Sequence, residues 1–228
     1  MLMETIQERF SGVRDRIAKA ARRAGRNPGE VELVAVSKKQ SAELIREAVD
    51  AGQLLFGENR VQEAMVKIPS LPGSLRWHLV GHLQSNKIRK ALPLFELIHS
   101  VDSAELAGEI DRIAGEMGLF PRVLLEVNVS GEGSKHGFRP EQLERDLETL
   151  LALPRLQVEG FMTMAPLAPE AEAARPFFAG LRELRDRMAA HAGIPFGVLS
   201  MGMSGDFEVA VEEGATLVRV GSAIFDGV

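Results

Sequence analysis

Cysteine and tyrosine are both missing from this chain. The first absence excludes disulfides, thiolate metal sites and a cysteine nucleophile, and it accords with a reducing compartment. The second removes the phenol from any acid–base chemistry. Uninterrupted apolar runs of about 18 residues are also lacking, so no membrane span is expected. Charges break up the first 25 residues, and no secretion leader is expected there. Positive charge is in deficit: 27 Lys and Arg stand against 32 Asp and Glu, net −5, which gives no support to a nucleic-acid reader. What remains is ordinary for a globular protein, 45% hydrophobic and 26% charged, in 228 residues that suit one barrel-sized domain, 1–228.

The pattern begins with a helix. Ile6, Phe10, Val13, Ile17 and Ala21 recur at spacings of three and four, which predicts an amphipathic helix over about 4–25, stopped by Gly25 and Asn27-Pro28. Short apolar runs then alternate with helical periods. The runs are 32–37, 54–58, 77–81, 96–101, 122–129, 157–164, 196–201 and 216–221, and the helical periods are 41–51, 59–68, 85–91, 103–117, 140–152, 170–191 and 205–213. Ser41 and Ser103 sit where caps belong, Pro140 sits at a helix start, and Ala51-Gly52 and Glu213-Gly214 read as stops. Strand–helix alternation implies parallel pairing, and eight such units predict a closed (β/α)8 TIM-type barrel. A six-stranded doubly wound sheet is the alternative, and it would require 54–58 and 96–101 to be loops.

Barrels carry their chemistry at the carboxyl ends of the strands. There the chain places Lys38, Asn59, His78, His82, Asn128, Lys135, Met164, Ser200, Ser204 and Arg219 to Ser222. Ser204-Gly205 precedes a helix and Gly221-Ser222 follows a strand, in the two loops where barrels commonly hold phosphate; the plainer reading is a helix cap and a turn. "VELVAVSKKQ" ends a buried-looking strand in two lysines. A desolvated lysine can condense with a carbonyl, and a phosphate-bearing aldehyde such as pyridoxal 5'-phosphate would join this amine to those loops. Periodicity does not choose between Lys38 and Lys39. Arg219 interrupts an apolar strand and needs a partner, either a carboxylate across the barrel such as Glu58 or Glu126, or a ligand atom. His78 and His82, with Glu58, Glu63 or Asp206, lack the helical His-Glu motif of a metal site, and no metal is expected. Trp77 and Met162, Met164, Met201 and Met203 read as core.

Seven segments in order resemble the YggS/PROSC family of pyridoxal phosphate homeostasis proteins: "VAVSK", "AGQLLFGENRVQE", "WHLVGHLQSNK", "HSVDS", "GSKHGF", "GFMTMAP" and "SMGMSGDFEVAVEEGATLVRVGSAIF". The resemblance implies a fold type III-like barrel similar to the N-terminal domain of alanine racemase, without an added β-domain. It implies pyridoxal 5'-phosphate held as a Schiff base on Lys38, Arg219 facing the pyridine nitrogen, and Ser204, Gly221 and Ser222 around the phosphate. Ser200 is expected nearby and Asn59 close to the cofactor, while His82, Asn86, Lys135 and Met164 fall at the rim. The chain reads "IFDGV" after its last motif, so the final helix is expected to be short or missing. The resulting expectation is a cytoplasmic, monomeric carrier of the cofactor, with cofactor-requiring apoenzymes as partners and neither nucleic acid nor membrane. A racemase or decarboxylase of the same barrel class is the alternative, and a phosphosugar aldolase is the weaker third.

Overall fold

The computed structural model describes residues 4–133 and 136–226. Its core is a closed barrel in which eight parallel strands pair in sequence order and β8 returns to β1. The strands are β1 (Glu32–Val36), β2 (Leu55–Glu58), β3 (Arg76–Leu79), β4 (Leu97–Val101), β5 (Arg122–Glu126), β6 (Gln157–Met162), β7 (Val198–Ser200) and β8 (Leu217–Val220). Both runs that the doubly wound alternative needed as loops are strands.

The crossover helices are α2 (Ala42–Asp50), α3 (Val61–Lys67), α4 (Ile88–Ala91), α5 (Ala104–Met117), α6 (Pro140–Leu151), α7 (Arg175–Ala192) and α8 (Phe207–Glu212), preceded by α1 (Ile6–Arg23) and closed by α9 (Ser222–Phe225). The local signals act as read. The Ser41 and Ser103 hydroxyls accept the N–H groups of Leu44 and Leu106, and Pro140 opens α6. Most expected boundaries move by a few residues, and two of the shifts bear on the site. The 170–191 period opens with a 3-10 turn, Ala171–Ala174, before α7. Residue 205 is not helical either, because α8 begins at Phe207 with Asp206 as its first flanking residue.

The final helix has only four residues, yet the barrel closes. The reason lies in α1, which covers the seam between the last and first strands. Phe10 meets Phe225 edge-on at 6.1 Å, and Arg16 and Arg23 pair with Glu208 and Glu212 of α8. Arg9 reaches the carbonyl of Asp226.

Two cores result. The larger lies between strands and helices and includes Ala35, Phe56, Leu79, Ile98, Leu125 and Val218. The smaller fills the barrel interior with Val34, Leu55, Leu97, Leu124, Met162 and Leu217. Inward and outward residues therefore alternate along the strands, β4 departing from this at Val101. The inward parity continues past the apolar layer into His78, His99, Glu126, Ser200 and Arg219, all buried. These polar residues lie on the carboxyl-end side of the apolar layer.

Candidate functional site

Val34 faces the interior and Val36 lines the cavity above it, so the parity of β1 runs on to Lys38. The chain leaves the strand in a turn closed by the Gln40 N–H on the Ser37 carbonyl, with Lys39 held at φ 63°. A buried ion pair fixes this turn. Lys67 of α3 donates to Glu58 at 2.6 Å and to the Ser37 carbonyl at 2.8 Å, while the Ser37 hydroxyl donates to the same Glu58 oxygen at 2.7 Å. Glu58, at the end of β2, is thus spent on the base of the lysine turn and does not reach Arg219. The Lys38 side chain itself is exposed.

The cavity above the interior core has a volume of about 570 Å³, within the range usual for small-molecule sites. Lys38, Asn59, Met164, Ser204, Arg219, Gly221 and Ser222 all line it, as does Lys39. Asn59 comes close because Gly81 allows it: a Cβ at Gly81 would lie 2.3 Å from the Asn59 carbonyl oxygen. Gly221 is similarly confined, with a Cβ there 3.2 Å from the Val36 carbonyl. Ser204 is not a helix cap. Its hydroxyl oxygen accepts the backbone N–H groups of Gly221 and Ala223, both at 3.2 Å, and so marks the point where donors of the β8 loop converge. Carboxylates line the cavity too: Glu170, Asp206 and Asp226. Burial raises the pKa of Asp206 even though its Oδ1 accepts the Met203 N–H at 2.6 Å.

Arg219 forms the floor. It pairs with neither carboxylate foreseen for it. It donates instead to the Ser200 hydroxyl and, at 2.9 Å, to the Thr163 carbonyl. Burial lowers its pKa to about 10, against the pull of Glu126 and Asp206, and it remains a cation at neutral pH. Ser200 is fully buried beneath it and off the cavity surface. The Ser200 hydroxyl also meets His99 Nδ1 at 2.9 Å, and His99 Nε2 meets His78 Nδ1 at 3.0 Å. Arginine can only donate, so the Ser200 hydroxyl oxygen accepts from Arg219. That oxygen keeps a second lone pair as well as its proton, so the direction of the two imidazole contacts follows the histidine tautomers. Among the described residues, His78 Nε2 is buried without a hydrogen-bond partner. Burial holds both imidazoles neutral, His78 at about 4 and His99 well below its ordinary value, with the neighbouring His78 and Arg219 pushing His99 further the same way. Glu126 stands in the same interior. Burial and then Asp102 push its carboxyl up to about 7, while Arg219 pulls it down.

Of the described residues expected at the rim only Met164 lines the cavity, and of the floor the sequence reading named Arg219, Ser200 and His78 but neither His99 nor Thr163. His99 lies inside the quoted "HSVDS", and its parity with the inward Leu97 was the available signal. Thr163 contributes only a carbonyl, which no side-chain motif reports. His82 and Asn86 lie away from the cavity: His82 edges a neighbouring groove, and Asn86 is exposed in the 3-10 turn Ser85–Lys87. Lys135 lies outside the described residues. Trp77, Met162 and Met201 are buried as expected, whereas Met164 is 40% exposed.

The chain matches the family described as alanine racemase, N-terminal domain, over residues 11–227. It is 45% identical over 219 residues to the pyridoxal phosphate homeostasis protein of Aquifex aeolicus, spanning 96% of each chain. Among solved structures it is similar to PipY of Synechococcus elongatus with pyridoxal phosphate bound, at 42% identity and a TM-score of 0.84, covering 97% of this chain and all of that one. Alanine racemase of Clostridium difficile shares the fold at 16% identity and a TM-score of 0.70, and this chain spans 55% of its length.

Proposed function

The chain belongs to the alanine racemase N-terminal domain family and, within it, to the pyridoxal phosphate homeostasis proteins, and on that premise we propose that it binds pyridoxal 5'-phosphate and serves the intracellular homeostasis of that cofactor. One observation carries the reading: an amine, an arginine and the two glycine-serine loops edge a single cavity at the carboxyl end of the barrel. When bound, the cofactor supplies an aldehyde that condenses with amines and a ring that withdraws electrons. Lys38 would hold it covalently. Ser204, Ser222 and the backbone N–H groups of the β8 loop would take the phosphate, and Asn59 would flank the ring. Arg219 would face the ring nitrogen and, as a donor only, keep it unprotonated, which weakens the ring as an electron sink.

We read the protein as a carrier rather than a racemase or decarboxylase. The chain offers no tyrosine or cysteine as a second acid–base group. The carboxylates of Glu170, Asp206 and Asp226 stand against the cations around the cavity, a balance suited to a cofactor that must be released as well as held. A cytoplasmic monomer of one domain, 1–228, passing cofactor to apoenzymes completes the proposal. Among the described residues, no helix is long and apolar enough to cross a membrane.

The test is direct. Protein loaded with pyridoxal phosphate is reduced with borohydride and peptide-mapped; the label is expected on Lys38, and Lys38→Ala should lose the visible absorption band. A label on Lys39 alone, or an unchanged band in the variant, refutes the site. The loaded protein is also incubated with each amino acid in deuterated water. Turnover in the common enzymatic range of about 1–1000 per second would replace the carrier reading with an enzymatic one.

A further inference from the structure

Outside the cavity just described, three side chains from different loops converge at the barrel mouth. His82 follows β3, Asp102 follows β4, and His136 lies in the segment after β5 that returns to bridge Val127 through Phe138. His82 Nδ1 lies 3.2 Å and His136 Nδ1 3.4 Å from the same Asp102 Oδ2. The two rings stack with centroids 4.6 Å apart and planes 22° apart, and all three potential ligand atoms fall within 4.8 Å of one another.

Two imidazoles sharing one carboxylate by hydrogen bonds would be the plain explanation. The separations point to a second arrangement. Ring N–H hydrogen bonds to a carboxylate run about 2.7–3.2 Å, so the His82 contact stands at that limit and the His136 contact beyond it. A tetrahedral ion bound at about 2.0–2.1 Å to each ligand holds neighbouring ligand atoms about 3.3 Å apart. The observed 3.2 and 3.4 Å bracket that edge.

We propose that His82, Asp102 and His136 form a binding site for one divalent first-row transition metal ion, Zn²⁺ being the natural occupant of such a donor set. Two imidazoles and one carboxylate select against Mg²⁺ and Ca²⁺, which take oxygen. Asp102 is half-buried and both histidines are exposed, so three protein ligands leave a further position open to water or a small ligand. The ion would tie together three loops that share no strand pairing at that level. It would also sit beside the groove lined by His82 and Asn59, and Asn59 lines the main cavity as well. The site is independent of the function proposed above and is tested on cofactor-free protein.

Tag-free protein stripped with chelator is titrated with Zn²⁺ by calorimetry and with Co²⁺ by visible absorption. One ion per chain and visible ligand-field bands are expected. Loss of an outer partner of a metal ligand costs about 10–100-fold in affinity, so His82→Ala, His136→Ala and Asp102→Asn should each weaken binding by at least tenfold. His191→Ala, on α7 beside Glu148, should leave binding unchanged. His82 and His136 are exposed, so their variants should melt like wild type without metal. His82→Gln supplies a second, milder replacement that should weaken binding in the same sense. Absence of Co²⁺ bands at millimolar metal, unchanged affinity in the His82→Ala/His136→Ala double variant, or loss of binding with His191→Ala would each overturn the proposal.

Discussion

Replacing Glu126 by glutamine is expected to change how stability depends on pH. In the folded chain this carboxyl is raised from 4.5 to about 7, first by burial and then by Asp102. Between those two values the folded state binds a proton that the unfolded state has lost. The group therefore costs stability progressively as pH rises from 4.5 to 7, about 1.4 kcal/mol per pH unit and about 3 kcal/mol in all. The interior histidines act in the opposite sense. His78 is lowered from 6.5 to about 4, so the unfolded state takes up the proton first, and stability falls as pH drops from 6.5 toward 4 by a similar total of about 3 kcal/mol. His99 is displaced in the same direction. The wild-type profile is thus a partial cancellation, and variants should unmask its parts. Urea unfolding of cofactor-free protein at half-unit steps from pH 4.5 to 7.5 gives the test. The stability of Glu126→Gln relative to wild type should rise by about 3 kcal/mol from the acid end to the neutral end. His78→Gln should show the reverse trend, gaining on wild type as pH falls. Parallel profiles for Glu126→Gln and wild type would refute the reasoning, because they would mean that the buried carboxyl is ionised at ordinary pH.

Three further outcomes follow from the site. Lys67→Ala leaves Glu58 as an uncompensated buried carboxylate, so it should lower unfolding stability by about 3–5 kcal/mol and loosen the Lys38 turn; a loss under about 1 kcal/mol would show that the pair is not structural. Ser204→Ala with Ser222→Ala should weaken equilibrium binding of pyridoxal phosphate much more than that of pyridoxal, since bonds to an ionised phosphate are the stronger kind; equal losses would remove these serines from the phosphate. Arg219→Glu should alter the absorption spectrum of the loaded protein as well as its affinity, because a carboxylate favours a protonated ring nitrogen, and an unaltered spectrum would confine Arg219 to its contacts with Ser200 and Thr163.

The fold was legible wherever one residue carried one local signal. Ser41, Ser103 and Pro140 set helix starts through hydrogen bonds or ring geometry within a single turn, and those starts hold. At Ser204 the plainer alternative of a helix cap fails, because α8 begins only at Phe207 and the serine hydroxyl is taken by N–H groups 17 and 19 residues away. Periodicity did not choose between Lys38 and Lys39, because both faces of β1 are apolar; the motif resemblance alone favoured Lys38. The faces separate only when Val34 is known to pack inside the barrel and Ala35 outside it.

The part of the site that stayed hidden is the part set by register. Inward parity would have brought His99 under Ser200, since Leu97 and His99 share a face. The same parity fails two residues later, where the pairing of β4 with β5 shifts between Ile98 and Val101. That irregularity turns Val101 into the outer core and frees Asp102 to meet His82 and His136 at the mouth. A bulge re-aims the residues after it without leaving a compositional mark. "HSVDS" therefore reads as one motif but serves two sites. His99, within that irregular step, carries the buried chain from Arg219, and Asp102 after it carries the carboxylate at the rim. Their separation by three residues and one irregular step also explains why Asp102 can act on Glu126 electrostatically while standing apart from the Arg219 floor.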